Sequence, residues 1–155
     1  MKAKRTQWLA TFALIAYSAI LIKFVVFKAI PTIHIGHLRF RLAGPHTGPG
    51  NFVPFKTIGP QLIGRKNRLI DIVNLIGNII PFMPIGLLAP LVFRSISWRR
   101  ALVLGAVTGL TVEVMEAVFR VGIFDIDDVI LNALGVMFGY GVFVMFRRRT
   151  QSRLG

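Results

Sequence analysis

Six carboxylates carry most of the chemistry this sequence offers: Asp71, Glu113, Glu116, Asp125, Asp127 and Asp128. None lies in a terminal tail. Glu113 and Glu116 are three residues apart, which makes them neighbours on one face of a helix. Such a repelling pair suits acid–base work or proton coupling. It suits equally a structural role, with one acid paired to Arg120 and the other neutral and hydrogen-bonded. Asp125, Asp127 and Asp128, helped by Glu113 or Glu116, offer oxygen ligands to a hard divalent cation. The competing reading is helix capping, because acids at a helix start complement its dipole. Asn51, Asn74, Asn78 and Asn132 add amides to the same regions.

Other chemistries find no support. The chain has no cysteine, so disulfides, thiol catalysis and thiolate metal sites are excluded. There is no EF-hand spacing, serine triad, phosphate-binding glycine loop or dinucleotide fingerprint. His34 and His37 have helical spacing, but no nearby acid completes a metal set with them or with His46, and a surface role is expected.

The elements that must position these groups are membrane helices. Of 155 residues, 54% are hydrophobic, and four apolar stretches run at about 8–27, 69–93, 101–119 and 129–146. A crossing takes roughly 20 apolar residues, and in lipid a helix satisfies its own backbone. The stretches are continuous, where barrel strands would alternate. The expected fold is therefore all-α: one membrane domain, 1–155, of four transmembrane helices with a long basic connection between the first and second. The N-terminal stretch is expected to remain as an uncleaved span, since apolar sequence continues to Phe27 past the small residues Ala16, Ser18 and Ala19. Trp8 and Trp98, near span ends, read as interface anchors.

Lys and Arg outnumber Asp and Glu 19 to 6, a net charge of +13. The cations flank apolar spans and do not line a soluble helix, so the partner they indicate is anionic lipid, not nucleic acid. Lys2, Lys4 and Arg5, then Arg94, Arg99 and Arg100, then Arg147, Arg148, Arg149 and Arg153 fall on one side of a four-span chain. The positive-inside rule puts that side, with both termini, in the cytoplasm of a cell-membrane protein. The first connection is basic too, through Lys28, Arg39, Arg41, Lys56, Arg65, Lys66 and Arg68. It would lie outside, as a re-entrant or surface-lying segment. Gly44-Pro45 and Gly48-Pro49-Gly50 read as turns in it, and Asn51-Phe-Val-Pro-Phe55 is an apolar piece suited to the interface.

Helical phase gathers the polar residues. Asp71, Asn74 and Asn78 share a face of the second span. Gly105, Gly109, Glu113, Glu116 and Arg120 fall in one sector of the third, and Asp128, Asn132, Gly135 and Gly139 line up on the fourth. The glycines permit close helix approach. The start of span two, the end of span three and the start of span four meet the same membrane side. A carboxylate at bilayer depth costs about 2.5–3.5 kcal/mol even on mild scales, so these groups should face the bundle interior.

Asn51-Phe-Val-Pro-Phe55, Asn78-Ile-Ile-Pro-Phe-Met-Pro-Ile-Gly86, Glu113, Phe124-Asp-Ile-Asp-Asp128, Asn132 and Gly135, in that order, resemble the VanZ-like family of small membrane proteins. The resemblance covers roughly Asn51 to Gly139. Glu116 stands where that family often has glutamine, which adds a charge. The resemblance implies the cell envelope and an association with resistance to glycopeptide antibiotics, notably teicoplanin. It implies no particular reaction.

The function expected on these grounds is recognition or handling of an anionic, lipid-linked envelope ligand at the outer leaflet, such as a cell-wall precursor. Arg39, Arg41, Lys56, Arg65, Lys66 and Arg68 would attract its head group. Asn51, Asn74, Asn78, Arg120, Asp125, Asp127, Asp128 and Asn132 would orient it. Two alternatives stand beside this: a membrane-embedded, metal-dependent hydrolase or transferase using Glu113, Glu116 and Asp128, and a non-catalytic structural partner of an envelope enzyme.

Overall fold

The computed structural model describes residues 2–26, 33–35, 38–40, 48–63, 68–93 and 96–152. The elements are α1 (Lys2–Val26), strands β1 (Ile33–Ile35) and β2 (Leu38–Phe40), α2 (Ile58–Ile63), α3 (Arg68–Ile79), a 3₁₀ turn (Ile80–Phe82), α4 (Met83–Val92), α5 (Trp98–Val118) and α6 (Ile126–Gln151). Four helical segments are long and apolar enough to cross a bilayer: Lys4–Phe24, Asp71–Val92, Trp98–Val118 and Ile126–Thr150. This is the expected all-α membrane bundle, with spans in the expected places.

Two local features depart from expectation. His34 lies in a short antiparallel ribbon, paired with Arg39, and not on a helix with His37, which is outside the described residues. Ile33-His-Ile35 and Leu38-Arg-Phe40 alternate with period two, which a strand accommodates and a helix does not. The second span is also broken. Pro81 and Pro84 lack the N–H that helical bonding needs, and their rings clash with the carbonyls four residues earlier. The chain passes through the 3₁₀ turn there before resuming as α4. The carbonyl of Pro81 instead accepts a hydrogen bond from the Tyr17 hydroxyl of α1 at 2.8 Å.

The bundle is organised around α6, which packs on α5, α4 and α3, while α1 lies against α4 and α5. Leu21, Phe82, Ile85, Val112 and Val136 form its buried apolar centre. On α5, Val103, Val107, Leu110 and Val114 make an exposed stripe, and Gly105, Gly109, Val112, Glu113 and Glu116 lie buried on the opposite one. An apolar outside with carboxylates inside inverts the pattern of a water-soluble helix and fits a lipid solvent.

Helix contacts close enough to exclude a side chain set the bundle's width. A Cβ on Gly135 would sit 2.2 Å from the carbonyl oxygen of Ile79, and one on Gly139 would sit 1.9 Å from that of Met83. The broken second span is thus pressed against α6 backbone to backbone. Gly109 faces α6 less tightly, 3.0 Å from the Cβ of Asn132. By contrast, a Cβ on Gly141 would meet nothing within 4 Å. Gly135→Leu should therefore overpack the bundle and lower its stability by about 1–3 kcal/mol or more, and Gly109→Leu should do so to a smaller extent. Gly141→Ala should be neutral or stabilising by up to about 1 kcal/mol. Thermal unfolding in detergent reads all three, and equal melting temperatures for Gly135→Leu and Gly141→Ala would contradict the packing.

Candidate functional site

The site begins where the first connection meets the start of α6. The two backbones pair as a short parallel bridge: the Asn51 N–H donates to the Phe124 carbonyl at 2.8 Å, and the Ile126 N–H to the Asn51 carbonyl at 2.9 Å. Asp125 caps α6, accepting from the Asp127 N–H at 2.9 Å. Its carboxylate also accepts from the Asn51 amide at 2.8 Å and from the Thr57 hydroxyl at 2.7 Å. The Asn51 amide reaches Thr57 Oγ1 as well, at 3.2 Å.

Asp127 is fully buried, with 0% of its surface exposed. Its carboxylate accepts three backbone N–H groups: Phe55, Thr57 at 2.7 Å and Ile58 at 3.1 Å. Phe55 has φ +66, a left-handed conformation that costs a non-glycine residue about 1–2 kcal/mol. The turn this creates aims the N–H groups of Phe55, Thr57 and Ile58 into one concavity, while that of Lys56 turns back to the Val53 carbonyl; this is a backbone nest for an anion, and the protein's own carboxylate fills it. The same bonds cap the start of α2.

Two of the candidate metal ligands are engaged by the protein itself: Asp125 and Asp127 each accept three N–H or O–H donors. Among the described residues no three Asp, Glu or His side chains form a set that could hold a metal ion.

Glu113, Asp128, Asn78 and Asn132 make a second layer, deeper between α3, α5 and α6. Glu113 is 3% exposed, and its Oε2 accepts from the Asp125 N–H at 2.9 Å. Asp128, Glu116 and Asp125 all lie within its electrostatic reach. Asp128 Oδ1 accepts from the Asn78 amide at 2.6 Å. Asn132 lies one turn after Asp128 on α6 and against Gly109, one turn before Glu113 on α5. It is 2% exposed, and its Oδ1 has no hydrogen-bond donor among the described residues. A buried unpaired carbonyl costs about 1–3 kcal/mol.

Glu116 is buried beside Gly122, where a Cβ would lie 2.0 Å from Glu116 Oε2. Arg120 does not join this sector. The helix ends at Val118, Arg120 turns with φ +55, and its side chain is exposed, with no ion pair to a described residue. The N–H groups of Val121 and Gly122 fold back onto the Glu116 carbonyl at 2.9 and 3.3 Å, which completes the turn. Asp71 and Asn74 are half-buried on α3 without side-chain hydrogen bonds among the described residues.

Of the basic candidates, Lys56 is exposed beside the nest. Arg39 stands in β2 and Arg68 opens α3, while Arg41, Arg65 and Lys66 lie outside the described residues. Thr57 and Gly122 are the residues that sequence reasoning missed. A threonine just before a short helix is a capping signal, and it could have marked Thr57. Gly122 offered no comparable sign.

Asp127→Asn keeps shape but turns an amide N–H toward donors. It should destabilise the protein by about 1–3 kcal/mol and free the segment around Phe52–Lys56. A lower melting temperature together with new protease cleavage in that segment is expected, and unchanged values of both would count against the clamp.

A family model for VanZ/LLP1 matches residues 14–147, from the middle of α1 almost to the end of α6. Protein VanZ of Enterococcus faecium is 31% identical over 126 residues, which cover 79% of this chain and 66% of that protein. The chain therefore spans just under two thirds of that relative's length. No solved structure matches. With the clamp, the acid–amide layer, the second and third spans and most of the fourth inside the matched region, this chain belongs to the VanZ/LLP1 family.

Proposed function

We propose that this chain recognises an anionic, lipid-linked component of the cell envelope at the membrane face where α6 begins, and that this face is the outer one. The observation that carries the reading is Asn132: a buried amide whose Oδ1 lacks a donor, in the same layer as Glu113 and Asp128. That layer is rich in acceptors, and it suits hydroxyl, amide or amine donors of a head group. The phosphate of such a ligand needs the opposite chemistry, and Lys56 and the basic connection supply it.

The clamp supports the same reading from outside. It holds Phe52 and Phe55 at 72% and 64% exposure, with Val53 exposed between them and Lys56 adjacent. Phe52 is braced on Phe124, their rings 5.0 Å apart. Fixed aromatic residues beside a cation suit the head-group level of a bilayer. A cell-wall precursor as the ligand would be consistent with the glycopeptide-resistance association that the family resemblance implies. The ten cations of the two tails and the α4–α5 connection support cytoplasmic termini.

Two measurements test this. With the protein in nanodiscs, a polyprenyl diphosphate probe should bind at least several-fold more tightly than the matching polyprenol, and Lys56→Gln should remove most of that difference. Equal binding of the two lipids would overturn the reading. Glu113→Gln and Asp128→Asn should abolish the cellular phenotype with abundance and melting temperature nearly unchanged. If stability falls with function, these residues are scaffold, because disturbing the buried hydrogen bonds they accept from Asp125 and Asn78 costs about 1–3 kcal/mol. Orientation is checked separately by single cysteines: a thiol at Ile123 should label from outside and one at Ser152 should not.

A further inference from the structure

At the opposite end of the bundle, α6 carries a second organised surface. Tyr140, Phe143, Val144, Arg147 and Arg148 recur at helical spacing, so they share one face. They form one wall of a cavity of about 280 Å³, and Phe93 and Ile96, from the end of α4 and the connection to α5, stand on the facing wall. The Tyr140 hydroxyl reaches across to the Ile96 carbonyl at 3.4 Å and ties the two walls. The cavity lies where the first turns of α1 also sit, since the Gln7 amide donates to the Val92 carbonyl at 3.0 Å. This is the strongly basic end, and none of the six carboxylates lines the cavity.

We propose that this cavity binds one anionic phospholipid, with its acyl chain against Phe93, Phe143 and Val144 and its phosphate on Arg147 and Arg148. Three observations converge. The lining is mixed: Phe93, Ile96, Phe143 and Val144 supply an apolar part that hydrocarbon fills favourably, and the Tyr140 hydroxyl and the two arginines supply a polar part. The stripe changes from apolar to guanidinium within one turn, as the boundary between acyl chains and head groups requires. Arg147 and Arg148 are both exposed and both line the cavity, and each carries a guanidinium fork of the kind that phosphate accepts bidentately, with no carboxylate among the lining residues to compete for them. Basic pockets between membrane helices bind acidic lipid head groups by this chemistry. The proposal does not rest on the ligand proposed above, because it concerns the other end of α6 and a different lipid chemistry.

Native mass spectrometry of the full chain in non-ionic detergent provides the test, with dioleoyl phosphatidylglycerol as probe. One phosphatidylglycerol per chain should be retained at ten-fold or greater preference over dioleoyl phosphatidylcholine, and millimolar inorganic phosphate should not displace it. Arg147→Gln combined with Arg148→Gln should lower retention at least ten-fold. Arg149→Gln, one residue further and outside the cavity lining, should change it less than two-fold. Val144→Trp keeps every arginine but fills the cavity, and should lower retention as much as the double variant. Ile96→Trp fills the same space from the facing wall and gives an independent reading. Equal retention of phosphatidylcholine, equal loss in Arg149→Gln, or undiminished retention in both tryptophan variants would overturn the proposal.

Discussion

The carboxylate of Asp127, buried completely and bonded to three backbone N–H groups, is the interaction on which the rest of the site depends. A carboxylate held in a low-dielectric interior is tolerable only when its oxygens are satisfied, and here the donors come from a segment about seventy residues earlier in the chain. The bonds therefore do two things at once. They neutralise the cost of the acid at the start of α6, and they fix the connection between α1 and α3 against the bundle. Asp125 extends the same logic by capping α6 with one oxygen while it holds Asn51 and Thr57. Charge-assisted bonds of this kind are roughly twice as strong as neutral ones, which explains how a left-handed Phe55 is held in place.

Once the clamp is in place, the divergent fates of neighbouring acids follow from helix geometry. Asp125 precedes α6 and Asp127 points from its first turn toward the connection. Asp128 is rotated a further 100° or so around the helix and so faces the seam with α3, where Asn78 meets it. Glu113 bridges the two layers, because its carboxylate takes the N–H of Asp125 from below. Two carboxylates thus hold the loop and two line the interior, although three of the four lie within four residues of one another.

Much of this was legible in the sequence, and the reasons are specific. The four spans appear because apolar runs of bilayer length have few alternative readings. The inward stripe of α5 appears because Gly105, Gly109, Glu113 and Glu116 share a phase that Val103, Val107 and Val114 oppose. What stayed hidden depends on partners distant in sequence or on local backbone. The pairing of Asp127 with Phe55, Thr57 and Ile58 is set by tertiary contact, and acids at a helix start look the same whether they cap, clamp or bind a cation. Arg120 has the right phase for the inward sector, but phase counts only while the helix lasts, and α5 stops at Val118. The break at Ile80–Phe82 was signalled by Pro81 and Pro84. The long apolar run masked it, since hydropathy does not register a missing N–H.

The energetic contrast within the site separates scaffold from candidate binding layer. Asp125 and Asp127 each accept three protein donors, with both oxygens of each carboxylate engaged, as groups that support a fold should. Asn132 differs: it lies against Gly109 in the same interior, nearly as buried as Asp127, with an acceptor that no described residue meets. An apolar residue of similar size at that position would avoid the cost of burying the amide, and would pack against Gly109 equally well. The amide therefore adds nothing to the packing of α5 on α6 that a leucine could not provide. Its place beside Glu113 and Asp128, beneath the loop that Asp125 and Asp127 hold, is the observation that supports the proposed recognition of a donor from the membrane face.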